Sequence, residues 1–306
     1  MAYLYLNRYC IFWLSNMAIF GRGYDYFLGY ALSGGGARGF AHLGTLKVLE
    51  QYGLKPDVIA GTSAGALAGV FYADGFHPDE IVELFRKREF REFVSFTIPR
   101  TGFLKSTGLH TFLKKNLRAR RFEDLQLPFY VVTTDWEKAR TITFSQGNDL
   151  VDAVVASCSV PVIFNPQVID GVPYVDGGIL KNFPVTVIRE MCRYVVGVNV
   201  SLIIPPAEKE SIRTMVERTF NLMSNANTLI DKSSCDILIE TSGLEKISIF
   251  DLHSQNQIME RGYQTAANTM TEKRSLEIVR RCHRHALLEK KVKARLQMIG
   301  SGMTNK

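Results

Sequence analysis

An α/β fold built on a mostly parallel sheet follows from three observations in the sequence. Short apolar runs at Phe27 to Leu32, Val58 to Ala60, Phe129 to Thr133 and Tyr194 to Val200 alternate with stretches of helical periodicity. The first two runs end in glycine-rich turns that lead straight into helices. A chain of 306 residues, 46% hydrophobic, is also long enough to bury about three quarters of its surface, in one large α/β domain or a domain with an appendage.

The first strand, Phe27 to Leu32, runs into Ser33-Gly34-Gly35-Gly36-Ala37-Arg38-Gly39. Leu43, Leu46, Leu49 and Tyr52 then fall near one face of a helix over Ala41 to Tyr52. A strand, a glycine-rich turn and a helix in that order let backbone amides converge on an anion. The second strand, Val58-Ile59-Ala60, meets Gly61-Thr62-Ser63-Ala64-Gly65, and the small and apolar residues from Ala64 to Tyr72 continue as a buried helix. Pro78 and Asp79 open a third helix, residues 95 to 110 are turn-rich, and Gly108 to Leu117 is again helical. The region from about 79 to 125 is expected to be a cover, whose Phe90, Phe93, Phe96 and Phe103 line an acyl groove or simply pack a core.

Phe129 to Thr133 is a buried strand, Thr141 to Phe144 a shorter one and Asp149 to Ala156 a helix broken by Ser157 to Pro161. Asp170-Gly171 between Val168-Ile169 and Val172 to Val175 predicts a two-residue hairpin, with Pro173 placing the return strand at an edge. Asp176-Gly177-Gly178 follows at once, and Asn182-Phe183-Pro184 leads into a helix before the strand Tyr194 to Val200. Ser211 to Ile230 reads as one helix with Met215 and Met223 as core fillers, Asp236 to Ile239 as a late strand, and residues 256 to 296 as mostly helical.

Composition narrows the function classes. The five cysteines, Cys10, Cys158, Cys192, Cys235 and Cys282, are odd in number and widely spaced, which predicts buried thiols in a reducing compartment and no metal set. The formal charge of +7 is concentrated in the tail, where seven Lys or Arg follow from Arg281 onward against the single acid Glu289. Such a tail suits an anionic interface or an ordinary solvated helix face. Nucleic acid is disfavoured, because no stacking platform, zinc-finger spacing or helix-turn-helix pattern accompanies the charge. Residues 1 to 20 are aromatic but interrupted by Asn7, Arg8 and Asn16, so they read as a packed arm or an interfacial segment rather than a span of about 18 residues.

Gly61-Thr62-Ser63-Ala64-Gly65 matches the nucleophile elbow, a sharp strand-to-helix turn that needs small neighbours and leaves its serine hydroxyl exposed. The same residues also suit a serine helix cap. A serine nucleophile requires a base and donors for the developing oxyanion. The turn at Gly34, Gly35 and Gly36 offers the donors, with Arg38 just beyond to orient the loop or attract an anionic head group. For the base, a conventional hydrolase order selects a late histidine such as His253. Asp176, after a strand and before two glycines, is the alternative, as a direct proton acceptor or as a turn cap. Asp135, ending the strand from Phe129, is a structural cap or a second acid, and His42 a packing or capping residue. Nucleotide binding is disfavoured, since neither Gly-Lys-Ser/Thr nor a clear Gly-x-Gly-x-x-Gly is present.

Together, Gly34 to Gly39, Gly61 to Gly65 and Asp176-Gly177-Gly178 resemble the patatin-like phospholipase family, and more narrowly its bacterial members related to the neuropathy target esterase catalytic domain. The resemblance covers roughly Phe27 to Val200, with a similar helical continuation to about Ala267. It implies a three-layer fold with a central mostly parallel sheet flanked by helices. It further implies a serine acyl hydrolase that cleaves phospholipid or lysophospholipid esters through an acyl-enzyme. A Ser63–Asp176 dyad, an oxyanion hole at Gly34, Gly35 and Gly36, Arg38 in support, and no metal or organic cofactor belong to that implication; His253 then drops out. The expected organisation is an arm at 1–26, a catalytic domain at 27–267 and a basic helical extension at 268–306. A lipid substrate, a cytoplasmic location and peripheral contact with the inner membrane face complete the expectation. The alternatives are an esterase, thioesterase or acyltransferase on smaller acyl groups, or a nonhydrolytic lipid-binding protein.

Overall fold

The computed structural model describes residues 23–86, 90–93, 95–96, 102–203, 211–245 and 247–303. The arm expected at 1–26 falls almost wholly outside these residues. Among the described residues eleven strands are assigned, eight of them in one sheet. Its order is β11 (Ile237–Glu240), β10 (Cys192–Asn199), β1 (Tyr26–Leu32), β2 (Val58–Thr62), β5 (Phe129–Asp135), β9 (Val172–Asp176) and β8 (Gln167–Ile169), with β6 (Arg140–Phe144) also on β5. From β11 to β5 every pairing is parallel, and the pairings among β5, β6, β8 and β9 are antiparallel.

Both faces of the parallel strands are buried, which is why they read as unbroken apolar runs rather than alternations. Leu28, Tyr30, Leu32, Ile59, Val196 and Val198 face the larger core, shared with α1 (Phe40–Gln51), α2 (Ala64–Ala73) and α9 (Gln255–Met270). Ala31, Val58, Ala60 and Val195 face a smaller core closed by α6 (Val185–Ile188). The result is the expected mixed α/β architecture, a central sheet between helical layers.

One edge of β5 is shared by two strands arriving from opposite directions. Strand β2 pairs in parallel with Phe129 to Val132 and stops at Thr62, opposite Val132. Strand β9 pairs antiparallel with the next residues and places Asp176 opposite Thr133. Strand β6 covers Val131 to Asp135 on the other edge, so β2 and β9 meet end to end. The hairpin before β9 turns at Asp170 and Gly171, with φ 48° and 80°, as the Asp-Gly pair predicts. Pro173 nevertheless lies in an internal strand, between β5 and β8, and not at an edge. It sits beyond the three β5–β9 rungs, and its carbonyl accepts from the Trp136 amide at 3.0 Å.

The region expected to form a cover, about 79–125, holds α3 (Pro78–Phe85), α4 (Thr107–Asn116), β3 (Ser95–Phe96) and β4 (Gly102–Lys105), and the two strands form a small sheet with β7 (Val162–Phe164). The start of α3 is a capping box, in which His77 Nδ1 accepts from the Asp79 amide and Glu80 from the His77 amide. Phe85, Phe93 and Phe112 pack as a cluster with ring centroids 4.9 to 5.9 Å apart. The side chains of Phe90, Phe96 and Phe103 lie outside the described residues.

The long helix expected over Ser211 to Ile230 is two helices, α7 (Ile212–Ala226) and α8 (Leu229–Ser233), separated at Asn227 and Thr228. Met215 and Met223 are 53% and 36% exposed, so neither is a core filler. Ile212 on the same helix and Leu229 and Ile230 on α8 are exposed as well. The final helix, α10 (Lys273–Met303), anchors to the larger core through Ile278, Val279 and Cys282. Among the described residues no helix is long and apolar enough to cross a membrane.

Candidate active site

Ser63 sits where β2 ends and α2 begins, with φ 52° and ψ −119°. That left-handed backbone is costly for a residue carrying a Cβ, by roughly 1–3 kcal/mol, and is sustained by its surroundings. The Ser63 amide donates to Ser157 Oγ at 2.8 Å, and Ser157 Oγ donates to the Val132 carbonyl at 2.7 Å. The turn is also close-packed. A Cβ on Gly65 would lie 2.2 Å from the Leu32 carbonyl oxygen, and one on Gly61 2.5 Å from the Gly65 carbonyl oxygen.

The end-to-end arrangement of β2 and β9 brings the Ser63 hydroxyl to Asp176, where Oγ donates to Oδ2 at 2.7 Å. The other carboxylate oxygen accepts from the Gly178 amide at 2.7 Å. The backbone of Asp176 is held too, its carbonyl accepting from Thr134 Oγ1 at 3.1 Å and its amide donating to Ser159 O at 2.9 Å. Burial pushes the Asp176 carboxyl up to about 7, against the hydrogen bonds from Ser63 and Gly178, which lower it. A carboxyl poised near neutrality beside a serine hydroxyl has the proton affinity of a general base.

The glycine-rich loop lies alongside. Gly34 donates its amide to the Asn182 carbonyl at 3.0 Å, and Ala37 donates to the Ile249 carbonyl at 2.8 Å. The amides of Gly35 and Gly36, between them, have no acceptor among the described residues, and both residues line the cavity that contains Ser63. Arg38 is 1% exposed and lines the same cavity, Nε and Nη2 donating to the Ile247 carbonyl at 3.0 and 2.9 Å. Burial lowers its pKa, opposed by the charges of Glu217 and Glu245. His42 is buried under the loop with Nε2 2.9 Å from the Ser33 carbonyl, and burial holds its pKa at about 4, so the neutral ring donates.

The cavity has a volume of about 170 Å³. Phe40, Leu43, Leu67, Ile81, Phe85 and Leu109 make an apolar wall, to which Phe93 of the cover contributes. Asn182, Ser201, Glu217, Asn221 and Ser224 add polar groups to the lining, with Phe220 among them. His253 is exposed and does not line the cavity, which leaves the histidine order without a base at Ser63. Asp135 accepts from the Glu137 and Lys138 amides and from Arg140, the hydrogen bonding of a cap. Cys158 lies in the cavity wall, whereas Cys192, Cys235 and Cys282 are buried as expected. Its thiol is pushed well above the ordinary range by burial and then by the charge of Asp176.

Ser157, Asn182, Glu217 and Ser224 were not singled out as site residues from sequence. Ser157 carried only the signal of a helix break, and Asn182 that of a lead into the next helix. The α7 residues Glu217, Asn221 and Ser224 do recur at four and three, the spacing of one helix face, as their numbering shows.

A family model described as Patatin-like phospholipase matches residues 30–188, more than half of the chain. The chain is 33% identical over 172 residues to patatin-like phospholipase domain-containing protein 7 of Rattus norvegicus, covering 52% of this chain and 12% of that protein. Lysophospholipase NTE1 of Mycosarcoma maydis is 33% identical over 173 residues, with coverage of 54% and 9%. An uncharacterized NTE family protein of Mycobacterium bovis is 28% identical over 222 residues, with coverage of 69% and 59%. The chain thus spans only about an eighth or less of the length of the first two relatives.

Proposed function

We propose, from the premise that this chain belongs to the patatin-like phospholipase family, that it is a serine acyl hydrolase of long-chain lipid esters with Ser63 as nucleophile and Asp176 as base. The observation that carries the reading is the 2.7 Å hydrogen bond from Ser63 Oγ to Asp176 Oδ2 at a strained strand-to-helix turn. Residues 27–267 are the proposed catalytic unit. The apolar wall favours a long acyl chain over small acyl groups, and the lysophospholipase name borne by a similar fungal protein supports a phospholipid or lysophospholipid substrate.

In this mechanism Ser63 Oγ bonds to the acyl carbon as its proton passes to Asp176 Oδ2. The resulting oxyanion sits against the loop Gly34 to Gly36, with the Gly35 and Gly36 amides as donors because that of Gly34 is already bonded to Asn182. Collapse expels the alcohol, which takes the proton back from Asp176 and leaves the acyl group on Ser63. Asp176 then takes a proton from water as the water attacks the acyl carbon, and returns it to Ser63 as the fatty acid leaves. Fatty-acid release from a panel of diacyl and monoacyl phospholipid vesicles tests this. Wild type is expected to turn over at least one class, and Ser63→Ala to lose about 10⁴-fold or more while melting normally. A folded Ser63→Ala protein that kept wild-type turnover would remove the serine from the mechanism.

Access to lipid is proposed to come from peripheral contact through the outward face of α7 and α8, where Ile212, Leu229 and Ile230 are 82%, 71% and 71% exposed. Helix α7 lines the cavity on its other side. Replacing Leu229 and Ile230 by glutamate is expected to cut co-sedimentation with vesicles by about tenfold or more, from the loss of apolar burial. Unchanged sedimentation, together with a loss on neutralising Arg281, Arg284, Lys290 and Lys291, would assign the contact to the basic helix instead.

A further inference from the structure

We propose that Asn182 and Ser224 form a hydrogen-bonding subsite for the alcohol half of the ester, the uncharged glycerol oxygens of the lipid, and so help set leaving-group specificity. The inference rests on the hydrolase reading above. Asn182 is 1% exposed and Ser224 2%, and both line the cavity that contains Ser63. Neither Asn182 Nδ2 nor Ser224 Oγ meets a hydrogen-bonding partner among the described residues. Buried polar groups are almost always paired, so two unpaired ones in the cavity of the nucleophile point to a ligand that pairs them.

Their orientation is built in. Asn182 Oδ1 lies against Gly34 and Gly178, where an added Cβ would come within 2.4 and 2.9 Å of it, which turns Nδ2 to the other side of the amide. The Asn182 backbone N–H donates to Asn227 Oδ1 at 2.8 Å, and Asn227 Nδ2 donates to the carbonyls of Gly178 and Ile179 at 3.0 and 3.1 Å. These bonds fasten the end of α7 to the turn after Asp176, and Ser224 lies one turn of helix before Asn227. The subsite is therefore tied to the same segment as the proposed base.

The chemistry selects oxygen. Nδ2 only donates, while Oγ both donates and accepts, a pair suited to ester or ether oxygens and one hydroxyl. The charged side chains in this lining are already engaged, which disfavours a phosphate beside Asn182 and Ser224. Arg38, in the same wall, gives Nε and Nη2 to Ile247 and is balanced by Glu217, whose carboxylate accepts from the Ile249 amide. Apolar lining comes from α1, α2, α3 and α4 and also from Phe220 of α7, whereas Asn182, Ser201, Glu217 and Ser224 come from the turn after Asp176, the segment after β10 and α7.

The test compares kcat/KM for a monoacylglycerol and a 4-nitrophenyl ester of the same fatty acid. Ser224→Ala is expected to lower the monoacylglycerol value relative to the nitrophenyl value by about fivefold to tenfold, the worth of a net hydrogen bond. A residue that only packs the helix would move both values together, so an unchanged ratio overturns the subsite. Should Ser224→Ala fail to fold, the same ratio in Asn182→Ala decides. Wild-type turnover of the nitrophenyl ester separates the two ideas: without it the hydrolase reading falls and takes the subsite with it, and with it an unchanged ratio counts against the subsite alone.

Discussion

Asp176→Asn is expected to lose nearly all ester hydrolysis and, at pH 8, to melt at a higher temperature than wild type. Both effects come from the same burial. In the folded protein desolvation raises the Asp176 carboxyl from 3.8 to about 7, so the folded state holds a proton that the unfolded chain has released between those values. The associated stability is complete below pH 3.8 and is lost as pH rises through 7. At pH 8 the wild type therefore carries a buried carboxylate at a cost of up to about 4 kcal/mol, and asparagine removes that charge while keeping an oxygen for the Gly178 amide. The gain should vanish near pH 4. Catalysis runs the other way, since only the ionised form accepts the serine proton, and wild-type kcat/KM should fall on the acid side with a midpoint near 7. Thermal melts at pH 4 and 8 with a pH–rate profile check this. Full activity in Asp176→Asn, or an acid limb at the ordinary carboxylate value, contradicts the assignment.

Gly65→Ala is expected to be the most damaging methyl in the elbow. Its Cβ would sit 2.2 Å from the Leu32 carbonyl oxygen and 2.6 Å from that of Ser33, both backbone atoms of the strand that leads into the glycine-rich loop. Neither can swing aside as a side-chain tip can. A loss of about 3 kcal/mol, the upper range for overpacking, should lower the melting temperature by roughly 6–12 °C. Gly147→Ala separates packing from backbone preference: Gly147 has φ 89° but nothing within 4 Å of an added Cβ, so it should cost far less. Equal melting temperatures for the two variants would mean that close packing does not hold the elbow.

The parallel part of the fold is legible in the chain because strands buried on both faces leave unbroken apolar runs, as at Leu28 to Leu32 and Val195 to Val198. The positions of Ser63, Asp176 and the loop Gly34 to Gly36 are legible because tight turns demand glycine. What spacing does not contain is the meeting of β2 and β9 on one edge of β5, which depends on register between strands more than a hundred residues apart. Without it, Asp176 and His253 stand as rival bases. Pro173 misleads because its edge preference assumes a fully hydrogen-bonded rung, and here the pairing with β5 ends before it. Met215 and Met223 mislead because the face of α7 turned to the cavity is the one with Glu217, Phe220, Asn221 and Ser224, which leaves both methionines outward. The helical spacing of Ser224 with Glu217 and Asn221 is visible in the sequence, but that Asn182 and Ser224 lack a partner is a property of the folded cavity.

The most direct test of the central assignment is peptide mapping by mass spectrometry after treatment with a long-chain fluorophosphonate. A nucleophile activated by Asp176 predicts one stoichiometric adduct on the peptide carrying Ser63, absent from folded Ser63→Ala and slowed in Asp176→Asn. An adduct on another residue, or none on a wild-type protein that releases fatty acid, would contradict the account.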